Sequence, residues 1–141
     1  VKVTNLNGFE KKYLLNARKY AIDWEKDGAS KLERRFKELI RPYWKNQIVL
    51  FQARIPGSLL RLDFLNLNKK ILVEIDGPQH DEFNKFFHNN SRNEYMRHIQ
   101  RDFKKEDWCK KNDITVIRLD SSDLENFSPS YVLDKYGISI V

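Results

Sequence analysis

The chain has 141 residues, enough for one domain with a real core and too few for two. Its 26 Lys and Arg against 20 Asp and Glu leave a formal charge of +6, which favours a polyanionic partner such as nucleic acid. The lone cysteine, Cys109, excludes an internal disulfide or a multi-cysteine zinc site and fits a reducing cytosol; no apolar run has membrane length and no signal segment is expected.

Residues 1–29 read as an N-terminal helical extension ahead of a main domain over 30–141, the whole forming a single compact unit. Phe9, Tyr13, Ala17, Tyr20 and Trp24 recur at helical spacing, Lys11, Lys12, Arg18 and Lys19 fill the other side, and Asp27-Gly28 marks the end. The basic side is expected to be solvated, with phosphate contact as its functional alternative. A second helix starts at Ser30, where Ser-Lys-Leu-Glu is a capping box joining Ser30 and Glu33. Leu32, Phe36, Leu39 and Ile40 form its core stripe, and Pro42 is expected to end it near Arg41. Capping explains Glu33 fully, and a functional role stays open beside it. Residues 48–55 make a first strand, and Pro56-Gly57-Ser58 turns the chain.

The next stretch, Arg61 to His80, is a β-hairpin carrying acids where strands are usually apolar. Leu62, Phe64, Ile71, Leu72, Val73 and Ile75 build a buried sheet, interrupted by Asp63, Glu74 and Asp76. Strand alternation puts Glu74 and Asp76 on one face. With Asp63 on the neighbouring strand facing the same way, three carboxylates converge, and their mutual repulsion calls for a cation. Hard oxygen ligands without a cysteine or histidine cluster suit Mg2+ or Mn2+ rather than zinc. The alternative is that one acid faces solvent or pairs with Arg61 or Lys70.

Gly77-Pro78 breaks the strand, and the loop that follows holds Phe83, Phe86 and Phe87 among polar residues. These rings are expected to pack partially, with at most one presented to a base. His88 in this loop reads as structural. From about Asn93 to Lys111 the pattern is helical, with Tyr95, Ile99 and Phe103 on one face and His98, Asp102, Lys105 and Cys109 along its flank. That flank can look toward the sheet edge; His98 is expected only to line it. Residues 114–119 form a further strand, returned beside the hairpin by the helix. Ser128-Pro129 caps a short helix stopped by Gly137, and residues 138–141 are expected to form a last strand.

Taken together, Arg61-Leu-Asp63-Phe and, after the hairpin turn, Val-Glu74-Ile-Asp76-Gly-Pro-Gln-His80 resemble the active-site hairpin of the PD-(D/E)XK nuclease superfamily. The likeness is nearest to the branch with the very-short-patch repair endonuclease and the phage EDxHD homing endonucleases, and it covers roughly residues 30–119. It implies an α/β fold with a restriction-endonuclease-like core, a mixed central sheet of about four strands flanked by helices, here with an extra N-terminal helix. It further implies a homing-type DNA endonuclease dependent on Mg2+ or Mn2+, acting in the host-cell cytosol if phage-encoded. A mismatch or structure-specific repair nickase and a non-catalytic DNA-binding module of the same fold are the alternatives. On this resemblance Glu33 sits near the metal, Asp63 holds it, His80 is the general base and Asp102 is the acid on the following helix. The superfamily's lysine is replaced by Asp76, which leaves His80 or Lys105 to handle the attacking water.

A histidine near its ordinary pKa accepts a proton at neutral pH, whereas a lysine among carboxylates does not, so His80 is assigned as base and Lys105 as an electrostatic clamp. The metal set is Asp63 with Glu74 or the Ile75 carbonyl, and Asp76, Glu33 or Asp102 share a second ion or order water. Arg54, Arg61, Gln79, Lys85, Arg92, Arg97, Arg101 and Lys104 are the expected DNA contacts, positioning the duplex through phosphates without reading sequence. Because the chain opens on Val1, a DNA-targeting segment outside it is allowed for.

Overall fold

The structure is a computed structural model and describes residues 2–4, 12–26, 30–76 and 92–141. Its centre is a sheet of β3 (Val49–Arg54), β4 (Arg61–Asn66), β5 (Ile71–Ile75) and β6 (Thr115–Leu119), in the order β3-β4-β5-β6. The first two pairings are antiparallel and β5–β6 is parallel. A parallel partner needs a long crossover, and α3 (Arg92–Lys111) lies within it. The expected mixed four-stranded α/β sheet is therefore present.

Both faces of the sheet are covered, which is why its strands read as nearly continuous apolar runs. On one face Phe64, Ile71, Val73, Ile117 and Leu119 pack with Phe36, Ile40 and Trp44 of α2 (Lys31–Trp44), Leu124 of α4 (Ser121–Glu125) and Val132 of α5 (Pro129–Tyr136). On the other, Leu50, Ala53, Leu62, Leu65 and Leu72 pack with Trp108 and Cys109 of α3 and with Val3 and Leu15. Burial pushes the Cys109 thiol up to about 12, with Glu74 adding to the shift, so this cysteine is an inert core residue.

The N-terminal segment differs from the expected helix. Lys2–Thr4 (β1) and Lys12–Leu14 (β2) pair as an antiparallel hairpin, and among the described residues of this segment only Ala17–Tyr20 (α1) is helical, capped by Asn16, whose side chain accepts from the Lys19 N–H at 3.0 Å. After Tyr20 the chain becomes extended and joins the edge of β3: Ala21 bridges Leu50, and the Ile22 N–H donates to the Val49 carbonyl at 2.9 Å. Tyr20 then packs on one core and Trp24 on the other, which a single helical stripe cannot do. Sheet-edge hydrogen bonding overrode a local pattern that fits a helix.

Two other expectations change. Pro42 does not end α2, which continues to Trp44; the indole Nε1 donates to the Ile140 carbonyl at 2.9 Å and the ring is fully buried. Tertiary anchoring of that last turn outweighs the backbone bond Pro42 removes. Residues 138–141 form no strand, since Ile140 is used instead as the acceptor for Trp44 and as a core residue. Gly137, at φ 69°, stops α5 as expected from its tolerance of left-handed backbone.

Asp123 fastens the C-terminal region. It is 2% exposed and exchanges capping bonds with Asp120. It also accepts from the Tyr131 hydroxyl at 2.6 Å, the Tyr136 hydroxyl at 3.1 Å and the Lys135 ammonium. Burial alone would raise its pKa, but these donors outweigh it and hold the carboxyl well below the usual range. A depressed folded pKa gives stability that is present above the unfolded value, near 3.8, and lost as pH falls further. Asp123→Asn is accordingly expected to cost about 1–3 kcal/mol near neutrality through unsatisfied donors and to flatten the acid limb below that value. Thermal melts of both proteins from neutral pH down to about pH 2 check this.

Candidate active site

The strand ladders open at one place, around Asp63. Between β3 and β4 the register runs Phe51↔Phe64 and Ala53↔Leu62 but skips Gln52, the residue opposite Asp63. Between β4 and β5 it runs Asn66↔Ile71, Leu65↔Leu72 and Phe64↔Val73 and stops before Asp63 and Glu74. Side chains replace the missing backbone bonds. The Asp63 N–H donates to Glu74 Oε2 at 2.9 Å, and the Ile75 N–H donates to Asp63 Oδ2 at 2.9 Å. Glu74 Oε1 accepts from Lys105 Nζ of α3 at 2.8 Å. Glu74 is 3% exposed, so this ion pair is drawn well out of water.

Burial first, then the charge of Glu74, with Glu33 adding to both, pushes the Asp63 carboxyl up to about 8, against the Ile75 N–H and Lys105. Glu33 comes from the first turn of α2. Its N–H is capped by Ser30 Oγ at 3.2 Å, but its carboxylate turns to the sheet and accepts from Gln52 Nε2 at 2.9 Å. Half of the expected capping box is thus formed, and the other half is redirected toward Asp63.

The expected convergence of Asp63, Glu74 and Asp76 is not formed. Asp76 follows the last residue of β5, so strand alternation no longer aims it; its N–H donates to the Leu119 carbonyl at 2.8 Å and its carboxylate faces Arg118 Nη1 at 3.7 Å. Asp102 also lies beside Arg118, at 3.7 Å, and 3.8 Å from His98. Glu106 meets the Arg118 Nε at 3.1 Å. Arg118, paired in register with Glu74, is therefore the hub of a second cluster, and its Nη2 is buried without a hydrogen bond to a described residue. Burial works against its charge, but Asp102, Glu106, Glu74 and Asp76 together raise its pKa.

The flank of α3 bearing Asp102 and Lys105 does meet the sheet, but the Ile99 and Phe103 face is exposed, at 43% and 68%. Trp108 and Cys109, fully buried, fix the rotation of the helix that brings the polar flank down. Arg92, Arg97, Arg101 and Lys104 are exposed on α3, and Arg54 and Arg61, also exposed, are cross-strand neighbours at the far end of the β3–β4 hairpin. Gln79, His80 and Lys85, like His88 and the three loop phenylalanines, lie outside the described residues. Gln52 and Arg118 escaped the sequence reading. A polar residue between Phe51 and Ala53, and an arginine inside an apolar strand, were the available signals.

Among the described residues no three acid, histidine or cysteine side chains gather as a ready-made metal cage. Two adjacent carboxylates still fit magnesium, which keeps several waters and takes one or two carboxylates together with substrate phosphate oxygens. Asp63 Oδ1 has no hydrogen bond from a described residue, and the raised Asp63 pKa marks a place where a cation would be stabilising. The donor set is all oxygen. Comparison with known proteins found no matching family model, no matching curated protein and no matching solved structure. Among the described residues no helix is long and apolar enough to cross a membrane.

Proposed function

We propose that the chain is a metal-dependent DNA endonuclease of the PD-(D/E)XK kind, hydrolysing phosphodiester bonds with Mg2+ or Mn2+. The observation that carries this reading is the buried Asp63–Glu74 pair at the opening between β4 and β5, where the Asp63 carboxyl stays raised even beside Lys105. Phosphate binding alone needs no buried acids, which disfavours a purely DNA-binding module.

In this mechanism Asp63 and Glu74 would hold the ion, which would supply Lewis-acid chemistry at the scissile phosphate. Glu33 stands beside that pair and orders the attacking water. His80 takes its proton. Lys105 holds the Glu74 carboxylate in place and balances negative charge as it develops. Arg92, Arg97, Arg101 and Lys104 give α3 an exposed basic surface for the duplex backbone, and Arg54 and Arg61 extend the contacts along the β3–β4 hairpin.

Incubating the purified chain with supercoiled plasmid in magnesium, in manganese and in chelator tests this. Nicked or linear plasmid is expected with either metal and not with chelator. Cutting that survives chelator, or a folded chain that binds DNA and never cuts it, would contradict the proposal.

A further inference from the structure

Gln52 holds a backbone conformation that its place in the sequence does not explain. It lies inside β3 with φ 54°, the left-handed region, where a Cβ is unfavourable and where strand residues are not normally found. The register on either side is unbroken, so no extra residue has been inserted and the kink is not a bulge that shifts pairing. What the kink achieves is local. It removes Gln52 from the ladder opposite Asp63, leaves the Asp63 N–H to Glu74, and places the Gln52 carboxamide 2.9 Å from Glu33 Oε2. Gln52 is neither a surface residue nor fully buried, and the Glu33 bond links α2 to the sheet at the level of the carboxylate pair.

We propose that Gln52 is a positioning residue, its left-handed backbone retained because it aims the carboxamide at Glu33 and fixes that carboxylate beside Asp63 and Glu74. The inference rests on the nuclease reading above. Gln52 touches no reacting atom and acts through Glu33, as a supporting hydrogen bond acts through the ligand it orients. Strain of this kind persists where the surrounding structure enforces it and where a site uses it.

The test combines single-turnover cleavage, at saturating magnesium and DNA, with denaturation of the same proteins. Gln52→Ala is expected to slow cleavage by about 10- to 100-fold with DNA affinity unchanged. Gln52→Ala combined with Glu33→Ala should be no slower than Glu33→Ala alone, because the two act in series. Gln52→Gly should lose the rate like Gln52→Ala yet be the more stable of the two, the reverse of their order at an ordinary strand position. An unchanged rate in Gln52→Ala while the wild type cuts, multiplied losses in the double variant, or greater stability of Gln52→Ala over Gln52→Gly would each overturn the inference. A wild type that cuts nothing in magnesium overturns the nuclease reading itself, so the two failures are told apart.

Discussion

Asp63→Asn is expected to abolish cleavage while leaving DNA binding intact or tighter. The substitution removes a negative oxygen ligand, and losing several kcal/mol of metal-derived stabilisation corresponds to a rate loss of roughly 10³-fold or more. Binding should not suffer, since the neutral carboxamide adds no negative charge toward the phosphate backbone. Nor should folding. The carboxamide oxygen that the substitution introduces can still accept from the Ile75 N–H, the bond Asp63 Oδ2 makes at 2.9 Å. The sign of the Asp63 shift gives a second readout. A carboxyl whose folded pKa stands near 8 against 3.8 binds more protons folded than unfolded, so its contribution is present below the unfolded value and lost as pH rises through the folded one. In chelator, wild type should therefore lose stability between about pH 4 and pH 8, and Asp63→Asn should escape that loss and melt at or above wild type at the alkaline end. Gel assays, binding titrations and melts decide between a metal ligand and a structural acid. Parallel loss of folding and binding would make Asp63 structural.

His80→Ala is the second large effect. His80 as base rests on its place after the Glu74-Ile-Asp76 run, where Asp76 replaces the lysine that the resembling nucleases use. Removing a general base costs about 10²- to 10⁴-fold in the chemical step. Wild-type single-turnover rates at saturating metal should rise with pH along the limb of a histidine base, and His80→Ala should lose that limb along with the rate. Lys105→Ala should be slower than wild type but keep the limb, because Lys105 is tied to Glu74 at 2.8 Å. A His80→Ala protein with near-normal rate and the same limb would move the proton transfer to another group.

The sheet was legible because both of its faces are covered, which turns strands into apolar runs whose breaks stand out. Period-two alternation was enough to bring Asp63 and Glu74 together, since they sit at adjacent positions of one hairpin. It failed for Asp76, one residue past the end of β5, where Arg118 from a strand 42 residues further along the chain sets the direction of the side chain. The N-terminal aromatic spacing fits a helix equally well as a run of short pieces. What decided was the free edge of β3, a tertiary feature that takes Ala21 and Ile22 into bonding distance. Likewise, the face α3 buries is set by Trp108 and Cys109 rather than by Ile99 and Phe103. The left-handed backbone at Gln52 has no local signature at all, since no glycine, asparagine or aspartate marks it.

The central claim is that Asp63 and Glu74 hold a divalent ion, and Mn2+ titration of the DNA-free protein, followed by the electron paramagnetic resonance of free manganese, measures that directly. Wild type is expected to bind Mn2+ saturably, and Asp63→Asn and Glu74→Gln, each confirmed folded, are expected to lose that binding. Undiminished Mn2+ binding in both variants would contradict the account.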